Sequence, residues 1–202
     1  MNKTLETFIQ AINTSTLSDA RKEVLQPLID YVRDKISSNE TIRLNFICTH
    51  NSRRSHLGQI WAQTMAYYFN VPNLFAYSGG TEATALFSKV AETLTHQGFD
   101  LLILSQSENP IYAVKYAPNE APVICFSKAY HHPFNPKSHF AAIVTCNAAD
   151  EACPLVLGAD RRIAIKYDDP KAFDGTELMD VKYAERSLEI AREMYYVFGS
   201  IK

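Results

Sequence analysis

The sequence has no apolar run long enough to cross a membrane and no excess of either charge. Twenty Lys and Arg residues face 22 Asp and Glu residues, which leaves a formal net charge of -2. A membrane-spanning helix needs about 20 consecutive apolar residues, and nucleic acids or anionic membranes attract basic patches. Residues 1–24 also lack the apolar core of a signal peptide. We therefore expect neither nucleic acid nor a membrane as a partner, and a cytoplasmic location.

Cysteine is scarce, and its spacing argues against a metal site. The sequence has no C-x-x-C pair and no H-x(3–5)-H pair with matching cysteines, so neither a metal nor another cofactor is expected. A reducing compartment also disfavours static disulfides. This directs attention to reactive thiols among the four cysteines, Cys48, Cys125, Cys146 and Cys153. Cys125 lies in a short β-like run and is interpreted as structural.

The chain of 202 residues, 47% of them hydrophobic, fits one domain with additions. Residues 1–40 carry two apolar stripes of helical period and predict an N-terminal helical extension, with Ser18 or Asp19 as the cap of the second helix. Residues 99–139 contain short β-like runs separated by proline-containing turns and predict a hairpin-like insertion.

The remaining segments alternate between strand and helix patterns. This order predicts a parallel sheet with helices on both faces. Predicted strands cover residues 41–48, 74–78, 140–146 and 161–167, and predicted helices follow the first strand, begin near Ala83 after the second, and cover 180–198.

A polar loop, Cys48-Thr-His-Asn-Ser-Arg-Arg-Ser55, connects the first strand to its helix. Ligands in α/β proteins bind at the carboxyl ends of parallel strands, and a helix N-terminus attracts anions. The same field favours the thiolate of Cys48. Arg54 can offer a planar fork of donors to an oxyanion, and Ser55 can donate a hydrogen bond to the sulfur. The loop predicts a cysteine nucleophile that attacks a tetrahedral oxyanion.

The string C-T-H-N-S-R-R-S resembles the signature of the low-molecular-weight protein tyrosine phosphatases and of the related thioredoxin-coupled arsenate reductases. The resemblance covers about residues 41–98 and 140–200. It implies a three-layer α/β/α domain over 41–202 with a four-stranded parallel sheet in the order 2-1-3-4. It also implies that the loop binds the oxyanion through Thr49, His50, Asn51, Ser52, Arg53 and Arg54. His50 replaces the family's usual glycine, and Arg53 replaces an apolar residue or cysteine.

The resemblance also implies a general acid, an Asp directly before a proline late in the chain. Asp169, before Pro170, fits this position, and Asp168 is its nearest rival. Proline holds the preceding residue extended, which suits a carboxyl group aimed at a leaving oxygen. The alternative is an ordinary loop turn.

The segment Cys146-Asn-Ala-Ala-Asp-Glu-Ala-Cys153 precedes a proline and resembles the resolving pair of the arsenate reductases. The resemblance implies a relay in which Cys48 attacks arsenate, Cys146 attacks Cys48, and Cys153 carries the disulfide to thioredoxin. The alternative is that Cys146 merely ends a core strand and Cys153 is a chance loop cysteine.

Three functions follow from these residues. The leading hypothesis is arsenate reduction coupled to thioredoxin. The alternative is hydrolysis of a phosphomonoester through a phosphocysteine, with Asp169 as the acid; the two tyrosines that commonly follow the Asp-Pro pair in the phosphatases are here Lys171-Ala172-Phe173. A module that binds a phosphorylated partner without turnover is the third.

Overall fold

Two separate β-sheets organise the chain in the computed structural model, which describes residues 1–152 and 155–201. The helices are α1 (Lys3–Gln10), α2 (Asp19–Ser37), α3 (Arg54–Tyr68), α4 (Ser88–His96), α5 (Asn147–Ala152) and α6 (Met179–Gly199). The strands are β1 (Ile42–Cys48), β2 (Leu74–Gly80), β3 (Asp100–Ser105), β4 (Ile111–Lys115), β5 (Val123–Cys125), β6 (Phe140–Val144) and β7 (Ala159–Ala164).

The larger sheet contains four parallel strands in the order β2-β1-β6-β7. These are the four strands expected from the strand–helix alternation, and their order confirms the predicted 2-1-3-4. Strand β1 is central and buried on both faces. Phe46 packs in the cluster that contains α3 and α6 residues, while Ile47 packs in a second cluster with Ala149 of α5. The carboxyl end of β1, where Cys48 lies, therefore opens at the middle of the sheet.

The two N-terminal helices pack on the main hydrophobic core. Leu5 of α1 and Leu28 of α2 are fully buried in the same cluster as Phe46. The Ser18 side chain caps α2 by accepting a hydrogen bond from the Arg21 N–H at 3.2 Å, as one of the two predicted caps. Among the described residues, no helix combines the length and apolar character that crossing a membrane requires.

The insertion is a small antiparallel sheet in the order β3-β4-β5. Its three strands fall in the β-like runs predicted within residues 99–139, which confirms the predicted insertion. Val123–Cys125 forms the third strand, because its alternating residues Val123 and Cys125 are buried while it pairs with Tyr112–Val114 of β4.

The helix predicted to start near Ala83 begins only at Ser88. The residues before it use their backbone N–H groups elsewhere. Thr81 N donates to the Cys48 carbonyl at 3.0 Å, Glu82 N to the Thr49 carbonyl at 2.8 Å, and Phe87 N to the Ser52 carbonyl at 3.1 Å. Because these bonds fix an extended path around the loop, the apolar period of the segment does not become a helical turn.

Candidate active site

The polar loop links the end of β1 to the first residue of α3. Cys48 is the last residue of β1 and is 3% exposed. Asn51, at the tip of the loop, has a φ of 46°. That left-handed conformation is one that asparagine tolerates better than most residues. Asn51 therefore allows the chain to turn sharply between strand and helix.

A chain of side-chain hydrogen bonds ends on the sulfur of Cys48. Asn51 Nδ2 donates to Ser55 Oγ at 2.9 Å, and Ser55 Oγ lies 3.0 Å from Cys48 Sγ. Because the Ser55 oxygen accepts from Asn51, its own proton is available for the sulfur. Such a bond stabilises a negatively charged sulfur relative to a neutral one.

Four carbonyl groups of the loop point to neighbouring segments. The carbonyls of Cys48, Thr49 and Ser52 accept from residues 81–87, and the His50 carbonyl accepts from the hydroxyls of Thr84 at 3.1 Å and Ser127 at 2.9 Å. In a trans peptide the N–H points away from the preceding C=O. The N–H groups that follow these carbonyls therefore point to the inside of the loop, which is the arrangement of an anion-binding nest.

Gly80 allows the end of β2 to approach the loop. A Cβ atom at this position would lie 2.6 Å from the Thr49 carbonyl oxygen and 2.7 Å from the Asn51 nitrogen. Both contacts involve backbone and cannot be relieved by rotating a side chain. Glycine is therefore needed here by close packing of the backbone against the loop.

Arg54 is 9% exposed, and both ends of its guanidinium are engaged. Nη1 donates to the Tyr167 carbonyl at 2.9 Å, and Nη2 donates to the carboxylate of Asp169. Its Nε is a buried donor without a partner among the residues described. Buried donors usually have partners, so this nitrogen indicates where an acceptor such as an oxyanion would bind.

Asp169, rather than its rival Asp168, lies against Arg54. The Asp168 side chain is fully exposed and is 3.6 Å from Arg186. The second carboxylate oxygen of Asp169 accepts from Lys171 N at 3.1 Å and caps the short helical turn Pro170–Phe173. The structure thus holds the Asp169 carboxylate at a defined place beside the loop.

Arg53 uses its side chain to bind the C-terminal part of the chain. Its Nε donates to the Tyr183 hydroxyl at 2.5 Å, its Nη2 donates to Asp174 at 2.6 Å, and its guanidinium lies 4.3 Å from the centre of the Phe87 ring. Tyr183 donates in turn to Asp174 at 2.6 Å. Burial of the Tyr183 hydroxyl raises its pKa, and the hydrogen bond to the Asp174 carboxylate raises it further. The network therefore occupies Nε and Nη2 of the Arg53 guanidinium.

His50, at the mouth of the loop, is the other residue that departs from the family pattern. Its side chain is 40% exposed, and Nε2 lies 3.8 Å from the carboxylate of Glu82. Thr49 and Ser52 complete the loop, and Ser52 is buried.

Cys146 lies directly beside the loop, two residues beyond the end of β6. Its sulfur is 3.5 Å from the Thr49 hydroxyl and accepts from the Ala149 N–H at 3.4 Å. The side chain is 3% exposed. The predicted third thiol, Cys153, lies outside the described residues, and α5 occupies the segment that precedes it.

Asp150 fastens α5 to the neighbouring strand. Its carboxylate pairs with Arg162 and, at 2.6 Å, with Lys166, and its carbonyl accepts from Arg162 at 2.9 Å. The hydrogen bonds from Lys166 and then Arg162 hold the pKa of Asp150 below its usual value. These ion pairs of Asp150 with Arg162 and Lys166 form a clamp that ties α5, which precedes Cys153, to β7 and the residues after it.

A cavity of about 290 Å³ brings several of these groups together. Arg54, Cys146 and Asp169 all line it, and Lys166 adds a positive charge to the same wall. A second cavity of about 450 Å³ lies between β2 and the insertion, but none of the predicted site residues lines it. Cys48 and residues 49–53 do not line the smaller cavity, which lies beside their loop through Arg54 and Cys146. We therefore place the candidate site at the loop together with this cavity.

No protein-family model matches the sequence, and no curated protein matches it either. Solved structures do. An arsenate reductase from Archaeoglobus fulgidus DSM 4304 is 18% identical with a TM-score of 0.51, over 77% of this chain and 98% of that one. A low-molecular-weight phosphotyrosine phosphatase from Vibrio cholerae O395 is 13% identical with a TM-score of 0.52, over 79% and 95%.

A low-molecular-weight protein tyrosine phosphatase from T. tengcongensis is also 13% identical, with a TM-score of 0.53 over 79% of this chain and 99% of that one. The chain has the fold of these phosphatases and arsenate reductases. The likeness concerns the fold, and which reaction the site performs is a question for its own residues.

Several residues that build the site have no local signal in the sequence. Asp174 and Tyr183 bind Arg53 from more than 120 positions away, and the insertion reaches the loop through Ser127. The one available signal was the replacement of an apolar residue by Arg53, because a buried guanidinium requires partners.

Proposed function

We propose that the protein is a thioredoxin-coupled arsenate reductase with Cys48 as the nucleophile. The observation that carries this proposal is the position of Cys146. Its sulfur lies 3.5 Å from Thr49 in the loop and lines the same cavity as Arg54. A second thiol at an anion-binding loop is what a disulfide relay needs, and it has no role in simple ester hydrolysis.

The first step is attack of the Cys48 thiolate on arsenic. A sulfur–arsenic bond forms, and one arsenate oxygen leaves as water after taking up protons. The Ser55 hydroxyl stabilises the thiolate before attack. The inward N–H groups of the loop and Arg54 stabilise the negative charge of the arsenate oxygens.

Thiol exchange then reduces the arsenic. The Cys146 thiolate attacks Cys48, the sulfur–arsenic bond breaks with its electron pair staying on arsenic, and arsenite leaves behind a Cys48–Cys146 disulfide. Cys153 attacks Cys146 and releases Cys48 as a thiolate, and a thioredoxin dithiol reduces the Cys146–Cys153 disulfide. Two thiols are oxidised for each arsenate reduced to arsenite.

Phosphomonoester hydrolysis is the second candidate, and the position of Asp169 favours it. The Asp169 carboxylate lines the cavity beside Arg54, where it can give a proton to a leaving alkoxide or phenoxide. In this reaction water cleaves a phosphocysteine at Cys48, and Cys146 takes no part.

The decisive experiment measures two reactions on the same preparations. Thioredoxin-linked arsenate consumption and aryl phosphate hydrolysis are compared between wild type and Cys146→Ser. We expect the substitution to abolish the first activity and to leave any hydrolysis within a few fold. Cys125→Ser is the matched control, since Cys125 is fully buried in the insertion.

Hydrolysis that ignores the Cys146 substitution, without arsenate consumption by the wild type, would replace the reductase by the phosphatase. Binding of arsenate and phosphate with neither activity would instead support the non-catalytic binding module.

A further inference from the structure

The insertion holds the anion-binding loop from behind through two consecutive residues, Ser127 and Lys128. Ser127 Oγ donates to the His50 carbonyl at 2.9 Å. The Lys128 N–H donates to Asn51 Oδ1 at 2.9 Å, and the Lys128 carbonyl accepts from Gly80 N at 2.8 Å. The insertion is thus bonded to the loop and to the strand end beside it.

Asn109, in the turn before β4, fixes this contact. Its Oδ1 accepts from Ser127 N at 3.0 Å, and its Nδ2 donates to the Ser127 carbonyl at 2.8 Å. Thr84 N donates to Ser127 Oγ at 2.8 Å, so the hydroxyl proton of Ser127 is directed to the loop. Ser127 is 2% exposed. Ser127 is therefore a buried, fully hydrogen-bonded contact between the insertion and the loop.

The side chain of Lys128 brings a positive charge into the interior at this place. Lys128 is 1% exposed, and its Nζ has one hydrogen bond, to the Phe126 carbonyl at 3.2 Å. It lies 4.4 Å from the centre of the Phe126 ring and 5.4 Å from that of Phe134. Within the described part of the chain, no carboxylate forms an ion pair with it. A buried cation without a counter-charge is costly.

The groups around this ammonium do not supply a negative charge. Burial is the main cause that lowers the pKa of His56 on α3 to about 3, and the positive charge of Lys128 is the second, so His56 is neutral. Burial raises the pKa of Cys125 on β5 to about 12, so this thiol is neutral too. The His132 ring contacts the Phe126 ring edge to face, with 5.6 Å between the ring centres. Burial lowers the pKa of Lys128 itself to about 8.

We propose that Lys128 is a positioning residue whose buried ammonium compensates the negative charge of an oxyanion held in the loop. Its backbone N–H begins the chain of hydrogen bonds that runs through Asn51 and Ser55 to the Cys48 sulfur. The ammonium raises the affinity of the loop for an anion. The inference rests on the proposed anion site and holds for either reaction there.

This role links anion binding to protonation. If a bound anion favours the charged form of Lys128, protonation of Lys128 must favour binding of the anion by the same factor. Near pH 8, where part of the Lys128 population is neutral in the free protein, binding therefore takes up protons. At pH 6 the lysine is already protonated, and this contribution disappears.

Sulfate is the suitable probe because it carries two charges and does not titrate between pH 6 and 9. Calorimetric titrations with sulfate at pH 8, in two buffers of different ionisation enthalpy, give both affinity and proton uptake. The parent is full-length Cys48→Ser, which removes the reactive thiol. Lys128→Met removes the charge, and Lys128→Arg keeps it but does not titrate. Lys115→Met is the control, because Lys115 lies in the same insertion and binds only carbonyls there.

We expect Lys128→Met to bind sulfate roughly tenfold more weakly than the parent and to lose the proton uptake. Lys128→Arg should bind sulfate without proton uptake, and Lys115→Met should match the parent. Sulfate affinity and proton uptake that are unchanged in both Lys128 variants overturn the inference and leave the proposed function intact. A parent that binds neither sulfate nor arsenate overturns both.

Discussion

The carboxylate of Asp169 and the guanidinium of Arg54 form an ion pair in the wall of the proposed substrate cavity. Asp169 binds Nη2, which together with the unpartnered Nε would form the two-donor fork for an oxyanion. We therefore expect substrate and Asp169 to compete for Arg54, so that a displaced carboxylate can meet the leaving group.

Asp169→Asn is expected to separate binding from turnover. The neutral amide competes less well for Arg54, so phosphate affinity should rise by a few fold. Loss of the acid should lower the rate of aryl phosphate hydrolysis by about 10²–10⁴. Phosphate titration and steady-state kinetics give the two numbers. Asp30→Asn, a carboxylate on α2 that does not line the cavity, is the control, and weaker phosphate binding by Asp169→Asn would contradict the competition.

Arg53 and Arg54 are adjacent but should respond differently to the same substitution. Arg54→Lys loses the planar fork, so we expect oxyanion binding and turnover to fall at least about a hundredfold with a small change in stability. Arg53→Lys breaks the bonds to Tyr183 and Asp174, so the free energy of unfolding should fall by about 1–3 kcal/mol.

Chemical denaturation and phosphate titration on both variants check this pair of outcomes. Loss of phosphate binding in a stable Arg53→Lys protein would show that the Arg53 side chain contacts the substrate after all.

Asp150 should control the opening of α5. Because the pKa of Asp150 is lowered by Lys166 and Arg162, its contribution to stability is present above the ordinary value of 3.8 and is lost as the pH falls through the lower folded value. At neutral pH the clamp is closed. Asp150→Asn removes it, and hydrogen exchange at the amides of 149–152 should become faster.

In the proposed relay, a looser α5 should also accelerate disulfide transfer in a single turnover, roughly two- to fivefold for two partly exposed ion pairs. Asp30→Asn, a carboxylate on α2, is the control for hydrogen exchange and for the rate. Exchange that is the same in both variants would mean that other contacts hold α5.

Cys48 and Cys125 are both buried but should differ completely in function. Cys48→Ser should reduce turnover by roughly a million-fold, to background, while phosphate still binds. Cys125→Ser should keep turnover within a few fold, because burial raises the pKa of Cys125 to about 12 and keeps the thiol neutral. Residual arsenate or phosphate ester turnover by Cys48→Ser at more than a hundredth of the wild-type rate would exclude Cys48 as the nucleophile.

The sheet and the loop could be predicted because their signals are local. The apolar run before Cys48, the short polar loop and the amphipathic helix after it follow one another without a break, and strand–helix alternation restricts the topology. The order 2-1-3-4, implied by the resemblance, agrees with the structure.

The segment before Ser88 shows why other features escaped prediction. Its apolar residues have helical spacing, yet its N–H groups bind carbonyls of the loop 33–35 positions earlier. The contact between Lys128 and Asn51 spans 77 positions. Such bonds depend on how distant segments meet in the folded chain, and a pattern read over a window of 10–18 residues contains no information about them.

The bonds from Ser127 and Lys128 to the loop also bear on attempts to shorten the protein. Residues 99–139 resemble a dispensable decoration, since they form their own small sheet outside the main one. Excising them would remove a donor to the His50 carbonyl, the donor to Asn51 and the acceptor for Gly80 at once. A trimmed chain of four strands and their helices would keep Cys48 and lose the residues that shape the loop around it, so it is a poor starting point for engineering a smaller protein.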